Sequence, residues 1–223
     1  MAEAGSPRSR VLRDRLLDAA EASFESNGID AVSVEDIASL AGVSRGFVYK
    51  HFGSRDALTL AVLVRRARSF NDGAASVLRR QRTLASAIVT GILLAVDLAH
   101  RDPCFGRLVG SAVMDPTNRI DGAPEAALAL SDELWRPVLE SGRVNGELRE
   151  HVRIDDAIHW MMYVELSLLA SRSTFGVDER THERQLRSLL VPALINASPR
   201  PPACRPSTSN DQEVHRVNRV RSR

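Results

Sequence analysis

The run from 33 to 55 constrains this chain more than all the rest. It reads Ser33-Val34-Glu35-Asp36-Ile37-Ala38-Ser39-Leu40-Ala41-Gly42-Val43-Ser44-Arg45-Gly46-Phe47-Val48-Tyr49-Lys50-His51-Phe52-Gly53-Ser54-Arg55. The order predicts two short helices about a tight turn, then the start of another. Ser33 can cap the first, and Val34, Ile37, Ala38 and Ala41 form its apolar face. Gly42 is free to take a positive φ in the turn, and Ser44 can cap the next helix. That helix, Ser44 to Phe52, is too short and too polar to be stable alone. A short helix held against a supporting one is the arrangement that enters a DNA major groove.

The match extends beyond the general motif. Glu35-Asp36-Ile37-Ala38, Ala41-Gly42-Val43-Ser44, Gly46, Tyr49-Lys50-His51-Phe52 and Ser54-Arg55-Asp56-Ala57-Leu58 resemble the tetracycline-repressor (TetR) family of transcriptional regulators. Upstream, Leu16-Leu17-Asp18-Ala19-Ala20-Glu21-Ala22-Ser23-Phe24 and Asn27-Gly28 resemble its first helix. The resemblance covers about residues 10 to 60 and is one ordered block of high specificity.

With 223 residues and 43% hydrophobic composition, the chain has enough material for a small head and a larger helical body. No apolar run reaches the roughly 20 residues that span a bilayer, and the N-terminus is polar. Cys104 and Cys204 are too far apart and too different in context to suggest a disulfide framework, which fits a reducing cytoplasm. Net charge is +2, and residues 1–55 carry seven Lys/Arg against eight Asp/Glu. Bulk electrostatics therefore cannot drive DNA binding; charge placement must, with Arg45, Lys50 and Arg55 on one surface.

An amphipathic first helix is expected from Arg8 to Asn27, with Leu12, Leu16, Ala20 and Phe24 on one side. The helix capped by Ser54 is expected to run to the early seventies, where Asn71-Asp72-Gly73 breaks it. Five more follow: 82–99, 105–114, 124–141, 154–173 and 178–196. The fold class is all-α, with no strand pattern and no repeat. The count resembles the family's nine-helix layout. The expected division is a head over 8–54, a body over 55–196, and a disordered Pro- and Arg-rich tail over 197–223.

The resemblance implies that the helix from Ser44 to Phe52 lies in the major groove. Arg45 is the candidate for guanine readout, since a guanidinium can meet O6 and N7 together. Gly46 lets the backbone approach closely. Tyr49 and Lys50 suit phosphates; Ser33, Ser44 and Arg55 complete the clamp. Phe47 replaces a residue that the family usually keeps small; it either meets a thymine methyl or alters the fit. The alternatives are that Ser33 and Ser44 serve only as caps and that Tyr49 packs on the first helix.

One such head reads few base pairs, so a dimer is expected. The helix over 154–173 is apolar nearly all round between Trp160 and Ala170, broken by Glu165 and Ser167. It should be buried on both sides, by its own core and by a partner. The last helix, 178–196, would pair with it through Leu186, Leu189, Leu190, Ala193 and Leu194. Pro192 should loosen that helix. The resemblance further implies a small-molecule effector pocket whose filling shifts the two heads, with the fourth helix as the link. Candidate lining residues are Phe105, Met114, Trp135, His159, Met162 and Glu165, and the loop over 115–123 is a candidate portal. Glu165 stands out, because a carboxylate in an apolar helix needs a partner. No phosphate loop, nucleophile elbow or HExxH is present, so neither an enzyme nor a cofactor is expected. Asp155 and His159 at i, i+4 read as solvated helix residues rather than metal ligands.

Overall fold

The computed structural model describes residues 7–102, 105–107 and 120–196. Helix α1 spans Pro7–Asn27, α2 Val34–Ala41, α3 Arg45–Phe52, α4 Arg55–Leu78 and α5 Leu84–Arg101. Beyond a short helical piece at 105–107 follow α6 (Ala123–Val144), α7 (Ile154–Phe175) and α8 (Glu179–Gln185). A π turn, Leu186–Leu190, and α9, Val191–Leu194, continue α8. Among the described residues there is no strand; an isolated bridge pairs Leu148 with Ile195. The helix expected over 105–114, the portal loop and the tail lie wholly or mostly outside the described residues, as do Met114 and both cysteines.

The helix boundaries follow local chemistry where caps exist. Ser33 and Asp36 form a reciprocal capping box at the start of α2, and Gly42 ends it at φ 64°. Ser44, Ser54 and Thr83 cap α3, α4 and α5 through their side chains.

One boundary departs from expectation. Helix α4 does not break at Asn71-Asp72-Gly73 but continues to Leu78. A glycine inside a helix costs about 1 kcal/mol. Burial of Ala74 and Leu78 outweighs that, and the Asn71 amide ties to the Leu130 carbonyl at 2.9 Å.

The buried residues form two cores. The first unites α1, α2 and α3 with Leu58, Val62, Leu63 and Ala67 of α4, with Ile120 just before α6, and with Ala123 and Leu130 in its first half. The second gathers Ala74 and Leu78 of α4 with α5, the rest of α6, α7 and the last helices. Both α4, between Ala67 and Ala74, and α6, between Leu130 and Leu134, therefore pass from one core to the other. Helix α5 is long and apolar enough by composition to cross a membrane. Here it is the axis of the second core, burying Ile88, Val89, Ile92 and Val96 among α4, α6, α7 and the last helices.

Small residues and one acid set how closely the body closes. A Cβ at Gly91 would collide with the Trp135 ring, and one at Gly142 with Leu84. Glu147 accepts the Leu84 N–H at 2.7 Å, capping α5 from a distant loop. Asn196 donates through its backbone to the Glu147 carbonyl and through its side chain to that of Gly146, both at 2.8 Å.

The last helix corrects an expectation. Leu186, Leu190 and Leu194 are buried in the body's own core; only Leu189 and Ala193 face outward. Four residues of α-helix overshoot a full turn by roughly 40°, whereas a wider π turn falls short of one. One step of each brings Leu194 back above Leu186. The loosening expected from Pro192 takes this form: its ring cannot sit against the carbonyl four residues back, and the turn before it widens.

Candidate nucleic-acid interface and effector cavity

Helix α3 is anchored by one residue and exposed along the rest. Val48 is fully buried, while Ser44, Arg45, Gly46, Tyr49 and Lys50 are exposed. Each of the latter was expected on this surface. Phe47 is half-buried over the first core, with its ring 4.1 Å from His51. Arg13 of α1 lies over the Phe52 ring, 4.9 Å from its centroid.

Arg45 is held in place rather than loose. Its guanidinium pairs with Glu35 at 2.5 Å and lies 5.4 Å from the centroid of the Tyr49 ring. The Tyr49 side chain first, and Glu35 second, hold its protonation above the ordinary arginine value. Glu35 was missed as a functional residue, although its place ten residues before Arg45 in adjacent helices was available. What sequence could not supply was the crossing of α2 and α3 that sets the two side chains face to face.

Two arginines work inside the head. The Arg55 Nη2 donates to the Ile29 carbonyl at 2.6 Å and, with Nε, to the Val32 carbonyl at 3.2 and 3.3 Å. Expected as a phosphate contact, it clamps the α1–α2 connection onto the start of α4. Arg15 donates to the Ala41 carbonyl at 2.8 Å. It also lies where a Cβ on Gly42 would come within 3.1 Å, so Gly42 serves both a left-handed φ and a close approach. The Ser33 hydroxyl is spent on Asp36, whereas Ser44 accepts from the Phe47 N–H at 3.2 Å.

In the body, α4, α5, α6 and α7 enclose a cavity of about 70 Å³ as open to the centres of water molecules. One water needs roughly 10–15 Å³ on that measure. Of the six expected effector residues, Phe105, Trp135, Met162 and Glu165 line it together. His159 does not, and Met114 lies outside the described residues. Asp155, considered beside His159, pairs with Arg136 at 2.7 Å instead.

Among the described residues, Glu165 is the one ionisable side chain that lines this cavity. Its Oε1 is sealed from solvent and has no hydrogen-bond partner among the described residues. Burial pushes its carboxyl up to about 8, while the Trp135 indole N–H pulls weakly the other way. The neutral acid therefore dominates at pH 7. His182 is the other buried titratable group of the body; its Nε2 lies 2.9 Å from the Ser171 hydroxyl, and burial lowers its affinity for a proton.

A charged seam links cavity and head. Arg65 pairs with Asp18 at 2.7 Å and with Glu21 at 2.5 Å. Arg66 pairs with Glu21 at 3.0 Å, with Glu25, and with Asp102 at 2.5 Å. Asp102 in turn accepts the backbone N–H of Phe105 at 3.2 Å, and Phe105 lines the cavity.

Large apolar side chains are also exposed on the body. Trp160 and Tyr163 on α7 are 54% and 52% exposed, and Leu189 in the π turn is 73% exposed. Trp160 and Tyr163 are three residues apart on one helix, and large apolar side chains so placed are rarely left in water.

Residues 16–62 match the family model described as bacterial regulatory proteins, tetR family. The chain is 31% identical over 165 residues to the transcriptional repressor KstR2 of Rhodococcus jostii, spanning 67% of this chain and 74% of the relative. It is 26% identical over 148 residues to the transcriptional repressor NicS of Pseudomonas putida, spanning 65% and 69%. Among solved structures, RolR in complex with resorcinol superposes with a TM-score of 0.67 at 17% identity, covering 83% of this chain and 88% of that one.

Proposed function

The chain belongs to the TetR family of bacterial transcriptional regulators, and on that premise we propose that it is a homodimeric repressor of a palindromic operator, released when a small apolar effector fills the α4–α7 cavity. The observation that carries the DNA half is the exposed Arg45, Tyr49 and Lys50 row, set by a single buried Val48. In this reading Arg45 leaves Glu35 for a guanine edge. Tyr49, Lys50 and the Ser44 hydroxyl take phosphates, which fix register. Gly46 lets the α3 backbone close on the duplex, and Phe47 shapes the fit from its half-buried seat.

The head over 8–54 and the body over 55–196 act as separate units joined by α4, which is rooted in both cores. Dimerisation uses the helices over 154–173 and 178–196, through Trp160, Tyr163, Leu189 and Ala193. A second copy is the partner that covers such a face on both sides of a two-fold axis. Effector binding reaches the heads through Phe105, Asp102 and Arg66. An effector releases DNA only to the extent that it binds the non-reading spacing of the heads more tightly. The relatives named repressors support the sign of regulation.

Selection of bound duplexes from a random pool tests the reading. The expected result is an inverted repeat with half-sites about one helical turn, roughly 34–36 Å, or a multiple apart. Arg45→Ala should weaken binding to that site about 10- to 100-fold and relax preference at one base pair per half-site. Equal loss on all sequences would make Arg45 a phosphate contact. A single half-site, or no enrichment, would refute the dimeric operator reading.

A further inference from the structure

The cavity has one polar demand that the protein does not meet. Among the described residues, its walls on α4, α5, α6 and α7 are uncharged apart from Glu165. Beside that carboxyl the described polar lining consists of Trp135, Asn71 and Ser131, and the Asn71 amide N–H already serves the Leu130 carbonyl. The Trp135 N–H faces the carboxyl group, while Oε1 has no partner among the described residues. An indole N–H can only donate, so the carboxyl oxygen it meets accepts from it, and the neutral acid keeps one O–H donor of its own to offer. Carried on Oε1, which has no partner among the described residues, that proton is an unmet donor. A buried donor without an acceptor costs about 1–3 kcal/mol.

We propose that the effector is an uncharged, largely apolar molecule that presents one oxygen acceptor, a carbonyl or hydroxyl, to Oε1 of Glu165. This rests on the reading of the cavity as the effector site. The number of polar groups argues for it. A carbonyl needs one donor, and Oε1 supplies one. An ammonium brings three N–H donors, and besides Glu165 only the side-chain oxygens of Asn71 and Ser131 could accept them among the described lining residues. It would also require both ions to be stripped of water among apolar walls. Trp135 keeps the acid in place, and its own position is set by Gly91, which leaves room for the ring.

Three rings of similar size test this on the full chain: cyclohexanone, cyclohexylamine and methylcyclohexane. Binding is read by titration, and its place by the methyl resonance of Met162, a lining residue, assigned with Met162→Leu. Cyclohexanone is expected to bind about tenfold tighter than methylcyclohexane. Glu165→Leu should erase that gap. Glu165→Gln, which keeps an N–H donor, should retain most of it. Cyclohexanone affinity should also fall as pH rises from 7 to 9 and the acid ionises. Equal binding of ketone and hydrocarbon would overturn the proposal. So would tightest binding of cyclohexylamine that is lost in Glu165→Gln; the cavity would remain the effector site, with an ionic anchor. If no probe moves the Met162 signal, the effector reading of the cavity falls, and this proposal with it.

Discussion

The head and the body treat polar groups in opposite ways. In the head, donors and acceptors close on nearby backbone: Ser33 with Asp36, Arg15 with Ala41, Arg55 with Ile29 and Val32. Arg45 and Lys50 face outward on α3. In the body, a single carboxyl is sealed into an apolar cavity, with one oxygen unmet. A unit whose polar groups are satisfied internally holds one shape and presents a fixed reading surface. A unit with an unmet group sits higher in free energy than it could, and a ligand that meets the group recovers the difference. On the proposed function, the contrast places rigidity where DNA would be read and responsiveness where the effector would bind.

The strongest way to break that contrast is to remove the carboxyl. The folded chain keeps the Glu165 proton up to about pH 8, while the unfolded chain gives it up near 4.5. Between those values the unfolded state binds fewer protons, so stability falls as pH rises, and the full contribution is lost above pH 8. Denaturant melts of wild type and Glu165→Leu should therefore diverge by on the order of 4 kcal/mol in favour of the variant between pH 5 and pH 8. Parallel profiles would mean that the acid reaches water or a partner.

Next in size is Arg55→Ala in the head. It orphans two backbone carbonyls that now accept from a guanidinium, and a loss of about 2–3 kcal/mol is expected in the same melts. Arg55→Lys should recover little, because one ammonium cannot reproduce the fork to Ile29 and Val32. Full stability in Arg55→Ala, with weakened DNA binding, would return the residue to the phosphate surface.

Gly91→Ala probes the body's packing. The added methyl meets the Trp135 ring, so the variant should lose about 2 kcal/mol. A ring displaced by that methyl would also change the pH profile governed by Glu165. The smallest effect sharpens the head's side of the comparison. Glu35→Gln frees Arg45 from an exposed ion pair, which should leave the melt unchanged. DNA affinity should rise by about threefold, since an acid is removed from a surface that meets phosphate. Unchanged affinity at low salt would show that the pair persists on DNA.

Legibility followed the range of the interactions. The caps Ser33, Ser44 and Ser54 and the turn at Gly42 were readable because each acts within four residues of itself. The outward row on α3 was readable because Val48 alone is apolar on the right face. The clamp made by Arg55 was not legible because its partners, 23 and 26 residues back, are carbonyls, which carry no side-chain signature. The extension of α4 past Gly73 was hidden for a like reason: what holds it is α6, in the form of the Leu130 carbonyl and the second core. Glu165 was visible as a carboxyl in need of a partner, yet the sequence could not say that it would stand beside an indole N–H at the wall of a cavity.

Sequence alone determined the helical class, the two-helix reading unit, the family and the position of one acid in an apolar helix. These rest on side-chain periodicity and on bonds between near neighbours, which every copy of the same string repeats. Tertiary structure alone decided that Glu35 faces Arg45, that Arg66 joins α1 to Asp102, and that a π turn sends Leu186, Leu190 and Leu194 inward while Leu189 stays out. Those outcomes depend on how helices cross and on what space is left between them. Neither quantity is a property of any one segment.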